Sequence, residues 1–131
     1  MPVRSPQIVP QIDPCMFHLI DVKRVWQTMG ELSVFDYVAA AFLGQLAAWR
    51  SDVFCHSREF ERRPLTALVH KMKGSCQAVA ATAVAHEFEQ AERALSHMQA
   101  QDWPACHARL VSQLVLLEAE IRTIMARPDG R

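Results

Sequence analysis

The sequence predicts an all-α domain: an antiparallel up-and-down four-helix bundle with an additional short N-terminal helix. Three observations carry this. Apolar residues recur at steps of three and four along five separate stretches. No segment alternates with period two over a useful length. Glycine is scarce, at 4 residues, in a chain rich in alanine and leucine. The 131 residues suffice for one domain and not for two ordinary ones. A domain of this size buries roughly two thirds of its unfolded surface and folds without covalent staples.

Residues 1–15, with four prolines and no periodicity, read as an extended arm. The bundle is expected over 16–127, its core over about 34–126. From Phe17 to about Met29, Leu19, Ile20, Val22, Val25, Trp26 and Met29 give a short helix that Gly30 ends. Ser33 is the expected N-cap of the next helix, with Asp36 in its first turn. Its stripe is Phe35, Val38, Phe42, Leu46, Trp49 and Val53. A polar stretch around Ser57–Arg63 breaks the pattern, and Pro64 suits a first helical turn. Leu65, Leu68, Met72, Cys76 and Val79 form the third stripe, and a tight break follows near Ala80–Thr82. Val84, Phe88, Ala91, Leu95 and Met98 form the fourth. The last helix is capped near Asp102, with Pro104 in its first turn, and carries Trp103, Cys106, Leu110, Leu114, Leu117, Ile121 and Ile124 before fraying ahead of Pro128.

Composition works mainly by exclusion. Lys plus Arg and Asp plus Glu each total 14, so the formal net charge is zero. A dedicated nucleic-acid binder carries a basic excess, and none exists here. No secretory h-region follows the proline-rich start, and the longest apolar run, Tyr37 to Gly44, falls far short of the roughly 18 residues a spanning helix needs. The four cysteines (Cys15, Cys55, Cys76, Cys106) form no C-x-x-C pair and fit free thiols in a reducing cytoplasm. The other histidines, His18, His56, His86, His97 and His107, share no metal-ligand spacing, so no metal site is expected. There is no Walker loop and no Gly-rich kinase loop.

The informative helix is the one around His70. At about 100° per residue, and with His70 at zero, the apolar residues Leu68, Val79, Met72, Leu65 and Cys76 lie at roughly 160° to 240°, with Val69 at their edge. His70 therefore faces solvent, on a stripe with Arg63, Thr66, Lys73, Gly74 and Gln77. Gly74 costs about 1 kcal/mol in a helix interior, and a surface site has no packing reason to accept it. A bare backbone beside an exposed imidazole is steric clearance for something large. Lys73, one turn on, places an ammonium where it can neutralise an anion carried on the ring.

The segment LVHKMKGSC, Leu68 to Cys76, resembles the H-x-[LM]-K-G-S signature of histidine-containing phosphotransfer (HPt) domains. The similarity extends through Ala78-Val79-Ala80-Ala81 and Phe88-Glu89 and covers about residues 34–126. Ala80 stands where the family usually has glycine, and Lys71 where a small polar residue or arginine is frequent. The resemblance implies a monomeric cytoplasmic phosphocarrier of a two-component phosphorelay. His70 would accept a phosphoryl group from a receiver-domain phosphoaspartate, Lys73 would stabilise it and Gly74 would leave it room. The carrier needs no cofactor, since Mg²⁺ belongs to the receiver, and without an ATP site it is not itself an enzyme. An imidazole titrating near about 6.5 can supply the nucleophile at neutral pH. Positioning and charge do most of the remaining work of phosphoryl transfer.

Receiver domains of response regulators or hybrid kinases are the expected partners, docking on Ala67, Lys71, Gln77 and Arg63, with Arg62 also on the rim. Ser75 leans away from His70; Glu89 and Glu92 on the next helix could orient the imidazole by hydrogen bonding, with plain exposed carboxylates the favoured reading. The opening Met and the arm lean toward a free-standing protein. From Arg58 to Lys73 five cations face only Glu59 and Glu61, a basic rim suited to an acidic receiver pocket. The alternative is a four-helix interaction module that binds a receiver or kinase without transfer.

Overall fold

The structure is a computed structural model that describes residues 19–51 and 60–126, apart from the side chains of Leu32 and Ser51. Among these residues it is an up-and-down bundle of five α-helices: α1 (Val22–Met29), α2 (Leu32–Ser51), α3 (Arg62–Ala78), α4 (Thr82–Leu95) and α5 (Trp103–Met125). The expected arm, Val53 and residues 57–59 of the polar stretch before Pro64 lie outside the described residues.

Helix α1 is shorter than its apolar pattern. Leu19 and Ile20 are not helical, because their backbone N–H groups are drawn off to the Glu120 carboxylate of α5, Ile20 at 2.7 Å. Asp21 then caps the helix, its carboxylate accepting from the Arg24 N–H at 3.0 Å. At the other end Gly30 takes the left-handed conformation, φ 83°, as a C-terminal glycine should. Helix α2 starts at Leu32, which places Ser33 inside the first turn and not at the cap; only Gly30 and Glu31 lie between the two helices.

The α3–α4 connection positions the site. The Ala81 N–H donates to the Cys76 carbonyl at 2.9 Å, and the Ala80 N–H to the Gln77 carbonyl at 3.0 Å. This is the Schellman pair of bonds that closes a helix, with Ala80 at φ 60° in the place glycine usually takes. A left-handed alanine costs about 1–2 kcal/mol, and here the turn holds it, the Ala80 carbonyl accepting from the Asp21 N–H at 2.8 Å. Helix α4 ends at Leu95, so Met98 reaches the core from the connection and not from the helix. A single 3₁₀ turn, Ala100–Asp102, leads into α5, whose first turn holds Pro104.

Phe35, Phe42, Leu46, Met72, Phe88, Leu95, Leu110, Leu117 and Ile121 fill the core, and burying each such side chain is worth about 1.5–3 kcal/mol. On α3 the buried set is Leu65, Val69, Met72 and Cys76, with Val79 buried at its C-cap, while Leu68 is only half-buried. The wheel alone favoured Leu68 over Val69. The difference arises because α3 packs most extensively on α4, which turns its inward face toward Val69. Arg50 reaches Glu118 at 2.6 Å, and the Ser75 hydroxyl donates to the Gln45 side-chain oxygen at 3.2 Å, tying α2 to α5 and to α3. No single helix among the described residues is long and apolar enough to cross a membrane; α1 with α2 reaches that length and apolarity only as a pair bent by 110°.

Candidate functional site

Because α3 and α4 run antiparallel from a tight turn, residues equidistant from Ala81 along the chain stand opposite one another. That register brings Glu92 to His70 and Glu89 to Lys73. The His70 side chain is 65 % exposed, and its Nδ1 lies 2.9 Å from Glu92 Oε2. An ionised carboxylate only accepts, so Nδ1 carries the proton. The lone pair of the neutral ring is then on Nε2, which has no partner among the described residues.

Lys73 is only 17 % exposed and sits between two carboxylates, Glu89 Oε1 at 2.8 Å and Glu92 Oε1 at 3.0 Å. The second oxygen of Glu89 accepts from Arg93 at 2.9 Å. The result is a chain of alternating charge, Arg93–Glu89–Lys73–Glu92, ending on the His70 ring. The hydrogen bond to Glu89, followed by that to Glu92, raises the Lys73 pKa. The same hydrogen bond from Lys73 lowers that of Glu89. For Glu92 burial opposes ionisation, and hydrogen bonds from Lys73 and His70 outweigh it to lower its pKa.

This corrects the favoured expectation that Glu89 and Glu92 are plain exposed carboxylates: Glu92 meets the imidazole, as the alternative had it, and Glu89 meets Lys73 instead. It also alters the reading of a basic rim. Charges that are segregated along the chain, cations before Lys73 and acids after Thr82, are interleaved once the hairpin closes.

No protein-family model, no curated protein and no solved structure matches the chain.

Gly74 is exposed, and a Cβ added there meets nothing within 4 Å. Nothing in the described chain itself requires a glycine at that position. Ala67 and Arg63 line an open groove with His70, Glu92, Thr66 and Ser96. Arg62 borders the same groove, but its guanidinium is already spent: Nε donates to the Leu95 carbonyl at 2.8 Å and a terminal nitrogen to the Met98 carbonyl at 2.6 Å. It also lies over the Phe60 ring, 5.1 Å from its centroid. Arg62 thus closes the C-terminus of α4 and is not a free rim cation. Lys71 is exposed, away from the ion chain. Gln77 lines a separate cleft with Arg24, Thr82, His86 and Glu89, beyond the Lys73–Glu89 bridge. Ser75 faces α2, as its place on the wheel implies.

Among the described residues no group of three or more His, Cys, Asp or Glu is placed to hold a metal. His107 packs tilted on Trp103, ring centroids 5.6 Å apart. Burial pushes the Cys76 thiol up to about 12, so it is a core residue and no nucleophile.

Proposed function

We propose that the chain is a phosphocarrier of a two-component phosphorelay, with His70 as the residue that carries the phosphoryl group between receiver domains. One observation carries the reading: an exposed imidazole whose Nδ1 is engaged by Glu92 and whose Nε2 is unpartnered among the described residues. The signature around His70 and the helical bundle support it.

In the proposed step the Nε2 lone pair attacks the phosphorus of a receiver phosphoaspartate. The P–O bond breaks, its electron pair returns to the aspartate carboxylate, and a P–N bond forms. The ring, now substituted on Nε2 and still protonated on Nδ1, is cationic, and Glu92 accepts that N–H. The reverse step delivers the group to a second receiver. The groove beside His70 offers Ala67 and Arg63 as docking contacts, and Gly74 leaves the approach open. The chain supplies nucleophile and orientation; Mg²⁺ and the acidic pocket come from the receiver.

The test is transfer from phosphorylated receivers in the presence of Mg²⁺. The expected result is acid-labile, base-stable label on the wild-type chain and none on His70→Gln. Failure with every receiver of the source organism would overturn the reading. A second reading, an interaction module that binds without transfer, is favoured by one feature: Lys73 is occupied by carboxylates. Under it, His70→Ala leaves partner affinity and cellular output unchanged.

A further inference from the structure

Lys73 cannot serve a phosphoryl group from where it stands. Its ammonium is shared by Glu89 and Glu92 at 2.8 and 3.0 Å, and the Glu92 oxygen it faces is sealed from solvent. Of the two contacts only the one to Glu89 is an aligned hydrogen bond; Glu92 Oε1 meets the ammonium as an ion pair, and moving Lys73 toward His70 Nε2 would leave that buried charge uncompensated. Glu89 is the firmer hold, the acceptor of the Lys73 hydrogen bond at 2.8 Å, and is itself braced by Arg93 at 2.9 Å. Before any phosphoryl group arrives the two glutamates are already matched by Lys73 and Arg93. A group bearing about two negative charges then arrives with no spare cation in this ion chain.

The other end of the chain acts in the same direction. Glu92 keeps the proton on Nδ1 of the phosphorylated ring, so the ring departs as neutral imidazole and not as an anion. Both effects favour loss of the phosphoryl group over its retention.

We propose that Glu89 is a positioning residue that withholds Lys73 from the phosphoryl group, making phosphorylated His70 a short-lived donor and not a store. This rests on the reading of His70 as phosphoacceptor and adds to it how long the phosphorylated state persists. Releasing Lys73 should therefore lengthen that lifetime, and only while Lys73 is present.

The experiment loads the full chain with phosphoramidate, a donor that needs no receiver. Nε2 attacks phosphorus, the P–N bond of the donor breaks and ammonia leaves. Phosphohistidine decay is then followed by ³¹P NMR at neutral pH for wild type, Glu89→Gln, Lys73→Ala and the double variant, with His70→Gln as the blank. Glu89→Gln is expected to lengthen the half-life about fivefold to tenfold, and the double variant to lose that gain. A Glu89→Gln half-life within twofold of wild type overturns the inference, as does a gain that survives Lys73→Ala. If Glu89→Gln melts early, Glu89→Ala carries the same comparison. Uptake on His70 with equal decay sinks only this inference. No uptake above the blank sinks the phosphocarrier reading and this one with it.

Discussion

A carboxylate with one oxygen on an imidazole Nδ1 holds that ring in a single tautomer, and Glu92 is held in turn by Lys73 through its other oxygen. Free imidazoles favour the opposite tautomer, with the proton on Nε2, so the effect of Glu92 is directly visible. In ¹⁵N spectra at alkaline pH, wild-type His70 should show the Nδ1–H pattern, and Glu92→Ala should move it toward Nε2–H. An unchanged pattern would remove Glu92 from the site. The exposure of His70 and Gly74 was legible in the sequence, because one helical wheel is enough to find a solvent-facing stripe. Glu89 and Glu92 were visible only as candidates to orient the ring, and which of them meets His70 and which Lys73 was not, because a wheel describes one helix at a time. The usable signal was their equal distance from Ala81, once the break at Ala80–Thr82 is taken as a tight turn.

At the scale of elements, the helices follow from periodicity, and their ends follow from bonds that periodicity does not contain. Gly30 ends α1 as glycine does elsewhere, while Leu19 and Ile20 leave the helix for Glu120, a residue about a hundred positions away. Ala80 closes α3 in a conformation that alanine rarely adopts, so no residue preference announced it. Arg62 is the sharpest case. From the sequence it belonged with Arg63 as a rim cation, yet in the fold it satisfies two carbonyls at the end of α4. Charged hydrogen bonds of this kind are worth about 1.5–3 kcal/mol, while a substitution at a surface site without such contacts stays within about 0.5 kcal/mol. Arg62→Ala should therefore lower unfolding free energy by about 1–2 kcal/mol in urea titrations, and Arg63→Ala should barely change it. Equal effects would mean that the cap contributes nothing.

Over the whole molecule the formal charge is zero, but its distribution sets how stability responds to acid. Glu89 is held below the ordinary carboxylate range by Lys73, Glu87 by Arg109, and Glu92, against its burial, by Lys73 and His70. A carboxyl whose pKa falls on folding stabilises the fold above its unfolded value, about 4.3. That contribution is lost as pH drops through the lower folded value. The melting temperature should accordingly hold from neutrality to about pH 5 and decline below it. Between pH 5 and 3, Glu89→Gln should lose less than wild type; parallel decline of the two would exclude Glu89 as a contributor. The bundle and most of its core were readable from spacing alone, since burial follows the apolar stripes. The ion chain was not, since it exists only between helices.

The turn at Val79–Ala81 has a bearing on the site that its distance from His70 conceals. It acts as the origin from which both helices are counted. One residue added there would rotate α4 by about 100° against α3 and carry Glu89 and Glu92 off the His70 face together. Chemistry at the middle of the hairpin thus depends on a length fixed at its end, and the backbone strain at Ala80 is where that length is kept.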